Sequence, residues 1–156
     1  MKITLLSIGK TEENYLQQGE AIYLKRLKHY IPFEHKVLPA LKKPKGLTRE
    51  QIKTEEGKLF LQQLQTSDQV ILLDEVGKEF NSPGFAKYLQ KQMNAGHKQL
   101  VFVIGGPFGF SQEVYQRANG KVALSQLTFS HQMVRLFFLE QLYRGFTILR
   151  GEQYHH

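Results

Sequence analysis

The residues best placed to do chemistry gather in the last third of the chain. Residues 100–104 are an unbroken apolar run, the pattern of a strand covered on both faces in a parallel sheet. The run stops in Gly105, Gly106, Pro107 and Gly109, after which Ser111 caps the short helical pattern 112–117. A glycine-rich turn at the carboxyl end of a buried strand is where open α/β sheets bind ligands. Glycine accepts positive φ and lets bare backbone N–H and C=O groups approach what any Cβ would hold away. Asp74 and Glu75 follow another buried run, 70–73, where carboxylates either face a ligand or solvate the loop. Arg144, beside Gly145, can complement a helix dipole or hold a phosphate. The chain closes on Tyr154, His155 and His156, a frayed end or a pair of groups able to stack on a base and exchange a proton near neutral pH.

These groups need a scaffold, and 156 residues suffice for one domain with its own core. The absence of cysteine excludes a thiol nucleophile, an iron–sulfur cluster and a cysteine zinc site, and gives no sign of an oxidising compartment. No apolar stretch reaches membrane-spanning length and the N-terminal residues lack a signal-cleavage pattern, so a cytoplasmic protein with no membrane partner and no metal is expected. Lysine and arginine total 21 against 14 acidic residues, a net charge of +7 that favours a polyanionic partner, with a merely solubilising surface as the alternative.

Strand and helix patterns alternate along the chain. Residues 3–8 form a first buried strand ending at Gly9. The Gly9-Lys10-Thr11 that follows imitates a phosphate loop, but that motif needs a glycine five positions earlier, where Thr4 stands. A helix is expected over 12–29, and a strand near the sheet edge over 33–38, because Glu34, His35 and Lys36 interrupt its apolar character. Lys42, Lys43 and Lys45 occupy a connector over 39–46 that is either simply solvated or touches RNA phosphates. Thr48 and Gln51 make a capping box for a helix to about 65, residues 70–73 a third strand, and Ser82-Pro83 the cap and first turn of a helix to about 95. After the glycine turn come a short strand over 122–124 and a last helix over 131–143. That helix is apolar round most of its circumference and must be buried on several sides; a second subunit is the natural cover for what one small sheet leaves, with Phe138 and Leu139 expected at that interface. The sum is one α/β domain over 1–156, with an open sheet of about five strands and flanking helices.

The segments IGGPFG, LSQLTFSH and MVRLFFLEQLYR and the closing YHH, in this order and spacing, resemble the small SPOUT-class RNA methyltransferases called ribosomal RNA large subunit methyltransferase H, and the likeness runs the whole length of the chain. One departure is visible: many members carry an acidic residue where this chain has Phe108. The resemblance implies a mainly parallel sheet whose C-terminal portion is threaded as a deep trefoil knot, which the usual avoidance of knots would never suggest. It also implies methyl transfer from S-adenosylmethionine to N3 of a pseudouridine in 23S ribosomal RNA, with the ribosome as partner. Carried over by matching motif, the cofactor contacts fall on Leu73, Gly105, Leu124, Ser125, Gln126, Leu127, Thr128 and Phe129. The weakly acidic N3 proton calls for a base or a stabilising cation, and the matching segments offer His131, Arg135, Arg144, Tyr154 and His155. His131 serves equally as a cap or a structural hydrogen-bonding group. The tail, approached through Arg150-Gly151-Glu152, is expected to gain its order by docking on the cleft or on RNA.

Two other classes fit parts of the sequence. A non-enzymatic ribosome-binding protein uses the same basic surface but has no use for a glycine-lined cleft. A dinucleotide-dependent enzyme wants G-x-G-x-x-G after its first strand, and Gly9 stands alone there.

Overall fold

The computed structural model describes residues 1–156. Strands β1 (Lys2–Ile8), β2 (Phe33–Leu38), β3 (Gln69–Glu79), β4 (Gln99–Ile104) and β5 (Gly120–Ala123) form one sheet in the order β2-β1-β4-β3-β5. Every pairing is parallel. Helices α1 (Asn14–Leu27), α2 (Arg49–Gln63), α3 (Ser82–Asn94), α4 (Gln112–Arg117) and α5 (Met133–Leu149) alternate with the strands.

The central strands read as continuous apolar runs because both faces are covered. Ile3, Leu5, Leu100 and Phe102 point to a layer that includes Leu27 of α1, Phe85 and Leu89 of α3, and Phe138, Leu139, Leu142 and Phe146 of α5. Their neighbours Leu6, Val101 and Val103 point the other way, to Phe60 of α2 and Val114 of α4. This period of two divides each strand between two cores. The chain leaves β3 for α3 on the first face and leaves β4 for α4 on the second. The two exits part, and a crevice opens at the carboxyl ends of β3, β4 and β5.

Several local expectations shift. The third strand does not end at Leu73: Leu73 and Lys78 both pair with Val122, so Asp74, Glu75, Val76 and Gly77 bulge out while the strand resumes to Glu79. Gly77 makes the return possible, since a Cβ there would stand 2.7 Å from the backbone of Lys121 and Val122. Asn81, not Ser82, caps α3 by accepting from the Gly84 amide at 2.8 Å, which puts Pro83 inside the first turn. The capping box of Thr48 and Gln51 forms as expected. The last helix runs on to Leu149, because Gly145 lies inside it and packs against Leu89 of α3, leaving no room for a Cβ. Phe138 and Leu139 are fully buried within the protomer and face no partner. The apolar side chains α5 leaves exposed are Met133, at 39%, and Phe137, at 41%, one turn apart.

Strand β2 is an edge strand, but His35 does not mark its polar side. The imidazole lies 2.9 Å from the Ser7 hydroxyl through Nε2 and 3.4 Å from the Glu20 carboxylate through Nδ1. Serine, histidine and glutamate in that order imitate a catalytic triad, yet Ser7 has no exposed surface, so the chain of groups ties β1, β2 and α1 together.

Candidate active site

The crevice at the carboxyl ends of β3, β4 and β5 holds a cleft of about 660 Å³. Three segments distant in sequence wall it: Leu73, Asp74 and Glu75 of the β3 bulge, the turn from Gly105 to Phe110, and the loop after β5. The N-terminus of α2 adds Arg49, Glu50 and Lys53 as a fourth wall. Of the residues assigned to the cofactor, Leu73, Gly105, Leu124, Ser125, Leu127, Thr128 and Phe129 all line this one space. Gln126 is exposed and is not among the residues that line it.

The glycine turn closes on itself, with the Gly109 amide donating to the Gly106 carbonyl at 3.1 Å. Of its glycines only Gly109 takes positive φ, at 86°. The other two answer packing. A Cβ on Gly105 would meet the Gly109 backbone and the Phe110 ring at 3.3 Å, and one on Gly106 would stand 2.5 Å from both carboxylate oxygens of Glu56. Glu56, on α2, is buried behind the turn, its Oε1 has no hydrogen-bond partner, and loss of solvent raises its pKa. Nothing in its position on an exposed, charge-rich helix sequence distinguishes it from the neighbouring glutamates.

The opposite wall is latched by side chains. The Thr128 hydroxyl donates to Glu75 at 2.6 Å, tying the loop after β5 to the β3 bulge. Asp74 accepts from the Val76 amide at 3.1 Å and from the Tyr115 hydroxyl of α4, whose pKa is raised by burial and by that carboxylate. The acidic pair therefore faces the cleft while also bracing its walls.

His131 lines the cleft too. The cap at this end of α5 comes from Ser130, whose hydroxyl accepts from the Met133 amide at 3.0 Å and whose carbonyl accepts from Val134. Burial, and then the nearby Arg135 cation, hold the His131 imidazole below its ordinary pKa. Arg135 itself is fully buried and spends its donors on the Gly9 carbonyl at 2.7 Å, the Ile8 carbonyl at 2.8 Å, Thr11 at 3.2 Å and the His131 carbonyl at 3.1 Å. With four of its five N–H groups committed and no exposed surface, it does not reach the cleft.

Arg144, Tyr154 and His155 stand together, but elsewhere. Arg144 lies on the far stretch of α5, about three turns beyond Met133 and about 16 Å along the axis, and Tyr154 and His155 of the tail pack back beside it. Arg144 donates to Glu140 at 2.6 Å and contacts Nδ1 of His155 at 3.1 Å, its guanidinium carbon 4.8 Å from the Tyr154 ring centre. The Tyr154 hydroxyl donates to Glu140 at 2.9 Å and lies 3.4 Å from that of Tyr23 on α1. Tyr154 also packs edge-on against Tyr143, with ring centres 4.7 Å apart. Burial, then Tyr23 and Glu140, raise the Tyr154 pKa, so the phenol stays protonated. The tail thus gains its order from α1 and α5 of its own chain rather than from the cleft. Arg144 sits inside the helix, where it has no end of the dipole to complement.

A backbone-lined cleft between parting loops of an all-parallel sheet, joined by the segment that carries His131, is matched by a whole-length comparison. The profile of the family described as predicted SPOUT methyltransferase matches residues 1–155. The chain belongs to the SPOUT methyltransferase family. Its similarity to individual SPOUT relatives is high throughout. A protein of Christiangramia forsetii named ribosomal RNA large subunit methyltransferase H is 58% identical over 156 residues, covering 100% of this chain and 99% of its own. One of the same name from Cytophaga hutchinsonii is 58% identical with 100% of both chains covered. Another from Parabacteroides distasonis is 53% identical, covering 100% of this chain and 99% of the relative. Among the residues present no cluster of histidine, aspartate and glutamate has the arrangement of a metal site, and no helix is long and apolar enough to cross a membrane.

Proposed function

We propose that this SPOUT methyltransferase modifies ribosomal RNA of the large subunit, transferring a methyl group from S-adenosylmethionine to N3 of a pseudouridine in 23S RNA. The observation that carries this reading is the convergence of Leu73, Gly105 and the loop from Leu124 to Phe129 on one cleft, within a chain alike along its full length to relatives named for that RNA. A purely RNA-binding protein has no use for such a cleft.

The residues present suit the cofactor. Apolar Leu73, Ile104, Leu124 and Leu127 offer faces for an adenine, the turn at Gly105 offers backbone groups, and Asp74 and Glu75 offer negative charge to a cation. When bound, S-adenosylmethionine supplies an electrophilic methyl group on a positively charged sulfur, so the protein's task is chiefly placement. His131, kept neutral by its surroundings, is able to accept the proton of the target nitrogen at neutral pH.

Arg144, Tyr154 and His155 act in this reading on a second protomer. Met133 and Phe137 form an exposed apolar strip beside the cleft, and a homodimer joined there with opposed helices carries the tail of one chain towards the cleft of the other. There Arg144 and His155 supply cations or hydrogen bonds to the RNA while Tyr154 keeps its proton. The threaded C-terminal path expected of the family belongs to the same reading and holds the 124–130 loop against the glycine turn. Isothermal titration should show binding of S-adenosylmethionine and none of NAD. Methylation of intact ribosomes, separated subunits and naked RNA, with the product nucleoside identified by mass, tests the rest; transfer to no RNA in any of the three would end the proposal.

A further inference from the structure

The cofactor reading uses neither the tip of the glycine turn nor the loop before α2, and these two meet at the mouth of the cleft. We propose that Phe108, Arg49 and the lysines Lys42, Lys43 and Lys45 form an entry platform for unpaired RNA: the Phe108 ring stacks on a base, and the cations hold the phosphates beside it. The idea rests on the RNA substrate put forward above and adds where the strand enters.

Phe108 stands in the turn closed by Gly106 and Gly109, lines the cleft, and leaves 39% of its surface exposed. Its cationic neighbour is Arg49, whose guanidinium carbon lies 5.2 Å from the ring centre. Arg49 and the three lysines belong to no ion pair, although Glu50 next door is taken by Lys53 at 2.8 Å. A hollow lined by Leu41, Lys42, Leu47 and Glu55 borders the cleft at Glu50, which places Lys42 beside the start of α2. An aromatic face beside an arginine plane, continued by cations that can track a backbone, is what single-stranded nucleic acid requires; a duplex keeps its bases stacked inside. A second copy of this chain would bring another +7 against uncompensated cations.

The test is fluorescence anisotropy with a labelled single-stranded oligoribonucleotide and a blunt-ended RNA duplex over a salt series. Wild-type protein should prefer the single strand. Phe108→Ala should weaken that binding roughly tenfold, while Phe108→Tyr, which keeps the ring, should change it by less than about twofold. The triple variant Lys42→Ala, Lys43→Ala, Lys45→Ala should reduce the salt slope by about 2, as loss of three phosphate contacts on a single strand requires. Phe108→Ala binding like wild type, equal affinity for strand and duplex, or no binding of the single strand at low salt would overturn the platform. So would sedimentation showing that Phe108→Ala breaks a dimer with RNA affinity unchanged, which assigns the face to a second copy. Titration with S-adenosylmethionine runs in parallel: if no form of the protein binds it while the Phe108 dependence holds, the methyl-transfer reading fails and the platform stands.

Discussion

The cleft and the tail cluster are built on opposite principles. The cleft is walled by three loops and the start of α2, and behind its glycine turn Glu56 keeps an oxygen without a hydrogen-bond partner. At the tail, Glu140 alone receives hydrogen bonds from Arg144, Tyr154 and Gln141, and Tyr154 touches Tyr23, Tyr143 and Arg144. Space and backbone suit a cofactor whose reactivity is its own. Saturated side-chain networks suit the rigid presentation of a few groups to something that arrives from outside. On the function proposed above, the difference teaches that one chain carries two halves of a site which its own geometry keeps apart.

The sharpest way to break that division is Gly105→Val. Its branched side chain is driven into Gly109 and Phe110, so the turn deforms. S-adenosylmethionine affinity should fall at least about 100-fold, with tail packing, read from tyrosine fluorescence, unchanged. A folded variant with wild-type cofactor affinity removes Gly105 from the site.

Deleting residues 154–156 tests the other half. Methyl transfer should drop by about 100-fold or more while cofactor affinity stays within about twofold. Tyr154→Phe should keep more activity than Tyr154→Ala, since the ring's stacking survives the loss of the hydroxyl. Wild-type turnover by the truncated chain would make the tail a packing element and leave His131 as the only titratable candidate for the base.

Much of the cleft could be read from residue order because its rules are local. A strand that ends in glycines, a cap at Ser111 and a capping box at Thr48 each declare themselves within a few positions. What could not be read depends on partners far away. Arg135 looks like any cation on a helix until Ile8 and Gly9 arrive beneath it, and His35 looks like an edge residue until Ser7 and Glu20 close round it. The resumption of β3 after its bulge depends on backbone from β5 passing Gly77, which no propensity encodes. Phe138 and Leu139 were assigned to the wrong side of α5 because hydrophobicity alone does not say whether α1, α3 or another chain provides the cover.

Arg135→Met sharpens the comparison by freeing the start of α5 from the end of β1, since it leaves the Ile8 and Gly9 carbonyls without their donor. Thermal or denaturant unfolding should show a loss of about 3 kcal/mol. A loss below about 1 kcal/mol would mean that water replaces the guanidinium.

The smallest effect expected is a gain. A carboxyl whose pKa is raised on folding contributes most below the pKa of the unfolded chain and loses that contribution as pH rises through the folded value. Glu56→Gln should therefore stabilise the protein by about 1 kcal/mol near neutral pH, with the advantage shrinking towards about pH 4. An advantage that grew on acidification would show that Glu56 is ionised and paired.

The guanidinium of Arg135 also sets an order on assembly. Ile8 and Gly9 are translated more than a hundred residues before the donor for their carbonyls. Until α5 emerges, the first strand has its neighbours but not its closing bonds, and the layer fed by Phe138, Leu139, Leu142 and Phe146 stays open. A nascent chain stalled before Met133 is therefore a half-covered sheet with a free apolar face.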